Sequence, residues 1–108
     1  MVAMVRVGVQ VRVEAKAGKV DELAARMRGS LPAIYEEPGT TAWFAMRLSD
    51  ASFAVCDVVP DEPARGAHMR TGRARPDALA DLLASPPNVA FTDVVAAQVP
   101  GDRMPARS

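Results

Sequence analysis

Val5-Arg6-Val7-Gly8-Val9-Gln10-Val11-Arg12-Val13-Glu14 puts a valine at every second position. Between the valines stand polar residues or glycine. Period-two alternation of β-branched residues is the mark of a strand with one strongly apolar face. Ala17-Gly18 breaks it. Val20, Leu23, Ala24, Met27, Leu31 and Ile34 then recur at helical spacing and form one apolar stripe. Pro32 lacks the N–H that would reach the carbonyl of Arg28, so a kink is expected there. Pro38-Gly39 marks the end of the helix.

Working outward, residues 40–48 read as a second strand and residues 52–59 as a third, joined as a hairpin about Ser49-Asp50. Pro60-Asp61-Glu62-Pro63 is a helix start, with an early proline and acids at the positive helix end. That helix is expected to run to about Arg70. Residues 72–76 interrupt it, and a second helical piece at 77–84 carries Leu79, Leu82 and Leu83. Ser85-Pro86-Pro87 is a stop, and residues 88–98 read as the last strand. Residues 1–99 are expected to form one domain, and 100–108 a loose tail.

The order β-α-β-β-α-β predicts an α+β fold. Right-handed crossovers place both helices on one face of a four-stranded antiparallel sheet. The second and third strands are nevertheless apolar on both faces: Phe44 and Met46 oppose Trp43 and Ala45, and Val55 opposes Ala54 and Cys56. An apolar sheet face of that size calls for a cover. The simplest cover is the same face of a second copy, so a homodimer is expected.

Composition narrows the function. Apolar residues make up 49% of the 108 and charged residues 24%, with 13 bases against 13 acids. No basic excess exists to hold a phosphate backbone, so nucleic acid is not an expected partner. No stretch reads as a secretory or membrane-spanning segment. Cys56 is the sole cysteine, which rules out an internal disulfide and fits a cytoplasmic protein. Neither a glycine-rich phosphate loop nor metal-ligand spacing is present, so no cofactor is expected.

The candidates for chemistry are few. His68 is the only histidine, and imidazole is the side chain whose unperturbed pKa lies near neutrality. It either points into the gap between helix and sheet, as a base would, or is a partly exposed histidine without a role. Trp43 and Arg47 share a face of the second strand. They are either a flat wall with an anion holder or an interface tryptophan with a surface arginine. Asp57 interrupts an apolar strand, so it must be paired or solvated. It could pair with Arg47 or orient His68. Asp93 poses the same question in the last strand. Tyr35 and Cys56 read first as packing groups.

Several segments resemble one family. Glu36-Glu37-Pro38-Gly39-Thr40 looks like its Glu-Pro-Gly corner. Residues 60–69, which end in Ala67-His68-Met69, look like its strand-to-helix segment. Residues 89–97 look like its last strand. With the opening strand, these resemble the antibiotic biosynthesis monooxygenases over residues 5–98. The resemblance implies a ferredoxin-like fold, a dimeric α+β barrel, with a pocket between sheet and helices. It implies a cofactor-independent monooxygenase that oxidises a small aromatic molecule, a polyketide or quinol, with dioxygen as co-substrate. His68 would be the base, Trp43 the stacking wall, and Arg47 or Gln10 the stabiliser of oxyanion charge, with Asp57, Tyr35 and Cys56 beside them. The family's anthrone oxidisers use a third-strand asparagine and a junction tryptophan, where this chain has Cys56 and Pro60. The haem-degrading branch uses a strand-one asparagine where this chain has Gln10, so haem is less expected. A non-redox cyclase or isomerase, or a non-catalytic binding protein, is the alternative on the same fold.

Overall fold

A computed structural model of the chain describes residues 5–36, 39–40, 42–70 and 76–98. The valine repeat forms a central strand, β1 (Val7–Glu14), with Val7, Val9, Val11 and Val13 all buried. After a turn in which Gly18 takes a positive φ of 80°, the chain enters α1 (Val20–Gly29) and then α2 (Leu31–Tyr35). The hairpin is β2 (Ala42–Arg47) and β3 (Ser52–Val59). Next come α3 (Glu62–Arg70), a 3-10 helix at Pro76–Leu82 and β4 (Asn88–Asp93).

The sheet order is β2-β3-β1-β4, with every neighbouring pair antiparallel. This is the ferredoxin-like α+β arrangement expected of the βαββαβ pattern. The register puts Val9 opposite Asp57, Val11 opposite Val55 and Val13 opposite Phe53, so these side chains share the helix-facing side. Leu23, Ala24 and Met27 of α1 close over that side together with Leu82 and Leu83. An ion pair of Arg26 with Asp81, 3.3 Å, ties α1 to the 3-10 helix. Hydrogen bonding from Arg26 holds the exposed Asp81 carboxyl below its ordinary range.

Besides shifts of a residue or two at strand ends, the elements differ from the sequence reading in four respects. The first helix is two helices rather than one kinked helix. The break falls at Ser30, whose hydroxyl donates to the Arg26 carbonyl, and Pro32 occupies the first turn of α2, where no N–H is needed. The helix ends at Tyr35, ahead of Pro38, which lies outside the described residues. The second helical piece is 3-10 rather than α. The last strand stops at Asp93, five residues short of Gln98, because among the described residues its only partner strand is β1. The final rung is the Val94 N–H on the Arg6 carbonyl. The expected tail, 100–108, lies outside the described residues.

The opposite sheet face carries Phe44 and Met46, which with Leu48 of the hairpin turn are 57%, 44% and 48% exposed. No helix of the described residues is long and apolar enough to cross a membrane.

Gly8 marks the tightest point of the sheet. A Cβ there would overlap the Asp57 carbonyl oxygen, a backbone atom that cannot swing aside. Gly8→Ala must therefore displace β3 from β1. A loss of at least about 2 kcal/mol is expected, at the upper part of the range for overpacked interiors. A urea unfolding midpoint unchanged from the parent would contradict that contact.

Candidate active site

Helix α3 packs on the sheet through polar groups. Its two buried residues are Arg65 and His68, three positions apart and hence on one helical face. Burying ionisable groups without partners is costly, so their partners define the site. Asp61 starts the helix by accepting the Ala64 N–H at 3.0 Å through its carboxylate. That cap sets the rotation of the helix and aims both side chains at the sheet.

His68 Nε2 lies 3.0 Å from Asp57 Oδ2, and both side chains are about 1% exposed. The other ring nitrogen, Nδ1, lies 3.4 Å from the Thr40 hydroxyl. Asp57 thus takes one of its two expected partners, the histidine, and does not pair with Arg47. If Nε2 carries hydrogen toward the carboxylate, Nδ1 is left to accept from Thr40. A hydroxyl, an imidazole and a carboxylate then stand in line. Such a line can fix the orientation of the ring.

Arg65 anchors the next turn of the helix. Its Nη1 donates to the carbonyls of Gly8 and Thr92 at 3.2 and 3.3 Å, and its Nη2 pairs with Glu62 at 3.2 Å. The guanidinium also lies 4.6 Å above the Phe91 ring. It spans β1 and β4 and holds α3, and with it His68, at a fixed height over the sheet.

Trp43 stands directly opposite Asp57 across the β2–β3 ladder, on the same face. It also lines a groove of about 420 Å³ between β2 and the helices α1 and α2. Met27, Leu31, Ala45 and Phe53 supply apolar walls, and Arg28 and Arg47 supply charge. Arg47 lies four residues along β2 from Trp43, about 13 Å at the usual strand rise. It is braced there by the Asp50 carbonyl at 3.1 Å and by the Phe53 ring at 4.8 Å. The indole Nε1 of Trp43 and Oδ1 of Asp57 are both buried, without a hydrogen-bond partner among the described residues.

The structure therefore divides the residues singled out from sequence. His68, Asp57, Trp43 and Arg47 lie on the helix-facing side. Trp43 and Arg47 line the groove, and the His68–Asp57 pair is next to Trp43. Gln10 and Cys56 are cross-strand partners on the opposite sheet face. Burial pushes the Cys56 thiol up from its ordinary range, partly offset by a hydrogen bond from Gln10, and the charge of Asp57 adds to the rise. That thiol is a poor nucleophile at neutral pH. Tyr35, at the end of α2, is 80% exposed, and Asp93 is solvated at the sheet edge. Sequence reasoning missed Thr40, Arg28 and Arg65. Only Arg65 had a usable signal, its i, i+3 spacing to His68.

Comparison with known proteins bears on the fold and the family. The chain is similar to the Nitrosomonas europaea protein NE2512, of unknown function, with a TM-score of 0.83 and 39% identity over 91% of this chain and 97% of that one. It is also similar to a second protein of that organism, provisionally named an antibiotic biosynthesis monooxygenase. The TM-score is 0.72 at 17% identity, covering 88% and 93% of the two chains. A further solved structure, named an antibiotic biosynthesis monooxygenase, matches with a TM-score of 0.69 at 18% identity over 83% and 99%. At those two lower identities the likeness establishes the fold alone. No family model and no curated protein matches the chain.

Proposed function

Because the chain belongs to the same family as NE2512 and has the fold of the antibiotic biosynthesis monooxygenases, we propose that it is a cofactor-independent monooxygenase. Its substrate is an electron-rich hydroxyaromatic, a polyketide or quinol, oxidised in secondary metabolism with dioxygen as co-substrate. The observation that carries this reading is the buried His68–Asp57 pair, 3.0 Å apart, beside the tryptophan that walls the groove. An ionisable pair beside a concave apolar wall is what proton abstraction from a flat substrate requires.

The reaction balances without another reductant. The pair takes a proton from the ring hydroxyl, and the resulting anion passes an electron to dioxygen. The two radicals combine into a C–O bond, giving a peroxide on carbon. Cleavage of its O–O bond leaves a carbonyl and releases water. The ring O–H and one ring C–H, with O2, thus become two C=O groups and H2O, and the substrate supplies all four electrons. The apolar walls exclude water from the anion. Arg47, at the rim, favours negative charge in the groove. A second copy of the chain, packed over Phe44, Met46 and Leu48, completes the homodimeric barrel in this reading.

The test is oxygen uptake with dihydroxyaromatic and anthrone substrates. One O2 consumed per product is expected, with one atom of labelled dioxygen retained in it. Product formed at the same rate without oxygen would replace this reading by a cyclase or isomerase. A second reading has its own observation. The pair is about 1% exposed, as in a structural ion pair, which favours a ligand-binding protein. Ligand bound in the groove with no turnover under either atmosphere would select it.

A further inference from the structure

Three side chains from three separate segments meet: the Thr40 hydroxyl, the His68 ring and the Asp57 carboxylate. Thr40 lies in the stretch before β2, Asp57 in β3 and His68 in α3. Their meeting follows from how the chain passes along the helix. A Cβ on Gly39 would stand 3.5 Å from that of Ala64, so residue 39 lies against α3. His68 follows Ala64 by four, one turn further along the same helical face, and there the Thr40 side chain reaches it.

Burial is graded across the three. Asp57 and His68 are 3% and 2% exposed, whereas Thr40 is half-buried. The hydroxyl is thus the member that a molecule from solvent meets first. Nε2 of the ring faces Asp57 Oδ2 at 3.0 Å, which leaves Nδ1 for the Thr40 hydroxyl at 3.4 Å. A hydroxyl beside a base, with the base oriented by a third group, is the arrangement that makes a nucleophile. The 3.4 Å separation is long for a hydrogen bond, as catalytic contacts often are before substrate binds.

We propose that Thr40 is a nucleophile, with His68 as its base and Asp57 as the positioning residue, and that the protein transfers small acyl groups from aryl esters to water. Nδ1 takes the hydroxyl proton as Oγ1 bonds to the ester carbonyl carbon. The carbon–oxygen bond to the aryl group breaks, and the ring returns the proton to the departing aryl oxide. Water then gives a proton to Nδ1 and its oxygen to the acyl carbon, and Oγ1 leaves with the proton. One ester and one water become one acid and one phenol, and nothing is oxidised. The activity needs no dioxygen, so it stands or falls independently of the monooxygenase reading.

The ester must be an activated one. In the adjacent first turn of α3 the Ala64 and Arg65 N–H groups are committed to Asp61, and Pro63 has none. Those donors do not steady an oxyanion, so the leaving group has to be a good one, which an aryl oxide is. The methyl on the threonine Cβ crowds the attack and favours an acyl group as small as acetyl. Hydrolysis of the acyl-threonine expels an alkoxide, a poorer leaving group than aryl oxide, so the acylated protein accumulates.

Reaction with 4-nitrophenyl acetate, quenched in acid, tests this through nitrophenolate release and peptide mass mapping of the acetyl group. The parent protein is expected to release a burst of one nitrophenolate per chain and to carry the acetyl group on Thr40. Thr40→Val, which keeps the shape and removes the hydroxyl, should lose the burst. Thr40→Ser, which relieves the crowding, should keep or quicken it. Acetyl groups found only on other side chains, such as Lys16, Lys19 or Tyr35, would overturn the proposal, as would an equal burst from Thr40→Val. A burst placed on Thr40 with no oxygen uptake on any hydroxyarene would sustain it and remove only the monooxygenase reading. Oxygen uptake with no acetyl group on Thr40 would do the reverse.

Discussion

Replacing His68 by alanine is expected to lower turnover by about a hundredfold or more, the usual contribution of a positioned acid–base group. The same change should destabilise the fold by about 3–5 kcal/mol, because it leaves the Asp57 carboxylate buried without its partner. The two effects have different origins and can be separated. His68→Ala/Asp57→Ala removes the stranded charge along with the ring. It should therefore be more stable than His68→Ala alone while remaining as inactive. A double-mutant cycle on unfolding free energy, beside turnover per folded molecule, reads both effects. If the folded fraction of His68→Ala turns over a competent substrate at the parent rate, the pair is structural and its place beside Trp43 has no bearing on catalysis. Asp57→Asn adds a finer reading. It keeps the shape and removes the charge, so the activity loss should match that of His68→Ala with a smaller loss of stability.

Arg65→Ala is expected to cost about 3 kcal/mol. The guanidinium makes two charge-assisted hydrogen bonds, to the carbonyls of Gly8 and Thr92, and lies over Phe91. Each such bond is worth about 1.5–3 kcal/mol before the variant's relaxation is counted. The stacking adds about 0.5–1 kcal/mol at a half-open site. For a chain of this size that loss corresponds to a fall in melting temperature on the order of 10–20 °C. Arg65→Lys should recover only part of it, because an ammonium cannot bridge the two strands with the fixed fork of a guanidinium. Equal stability of the lysine variant and the parent would show that charge, not the fork, holds α3. In Arg65→Lys the helix keeps its place less firmly, so turnover per folded molecule should fall as well. Parent-level turnover per folded molecule would make Arg65 a staple of the fold rather than an anchor for His68.

Much of the fold could be read in advance. The valine repeat of β1 has a period that only a strand satisfies, and the stripe from Val20 to Ile34 has one that only a helix satisfies. The β3 boundaries, Ser52 and Val59, agree between sequence and structure because Ser49-Asp50 on one side and Pro60 on the other punctuate the chain chemically. Alternation in residues 94–98 predicts a longer last strand than the structure has, since it says nothing about whether a partner strand reaches that far. The helix breaks at Ser30, two residues ahead of Pro32, because a proline constrains the turn before it as well as its own position.

The candidate site was legible only in its residue types. A lone histidine, a lone tryptophan and an aspartate inside an apolar strand are each visible in one dimension. The faces of Gln10 and Cys56 followed from alternation, but pockets are built on one side of a sheet, and alternation alone does not say which. Thr40 had no signal at all, since nothing local links residue 40 to residue 68. The sequence by itself determined the element order, the two-sided apolarity of the hairpin and the inward valines of β1, because these depend on periodicity and local backbone chemistry. Only the tertiary structure decided that Asp57 turns to His68 rather than to Arg47, and that Trp43 stands between this pair and the groove. Those facts depend on strand register and on the height of α3 over the sheet, and both are set by contacts between residues far apart in the chain.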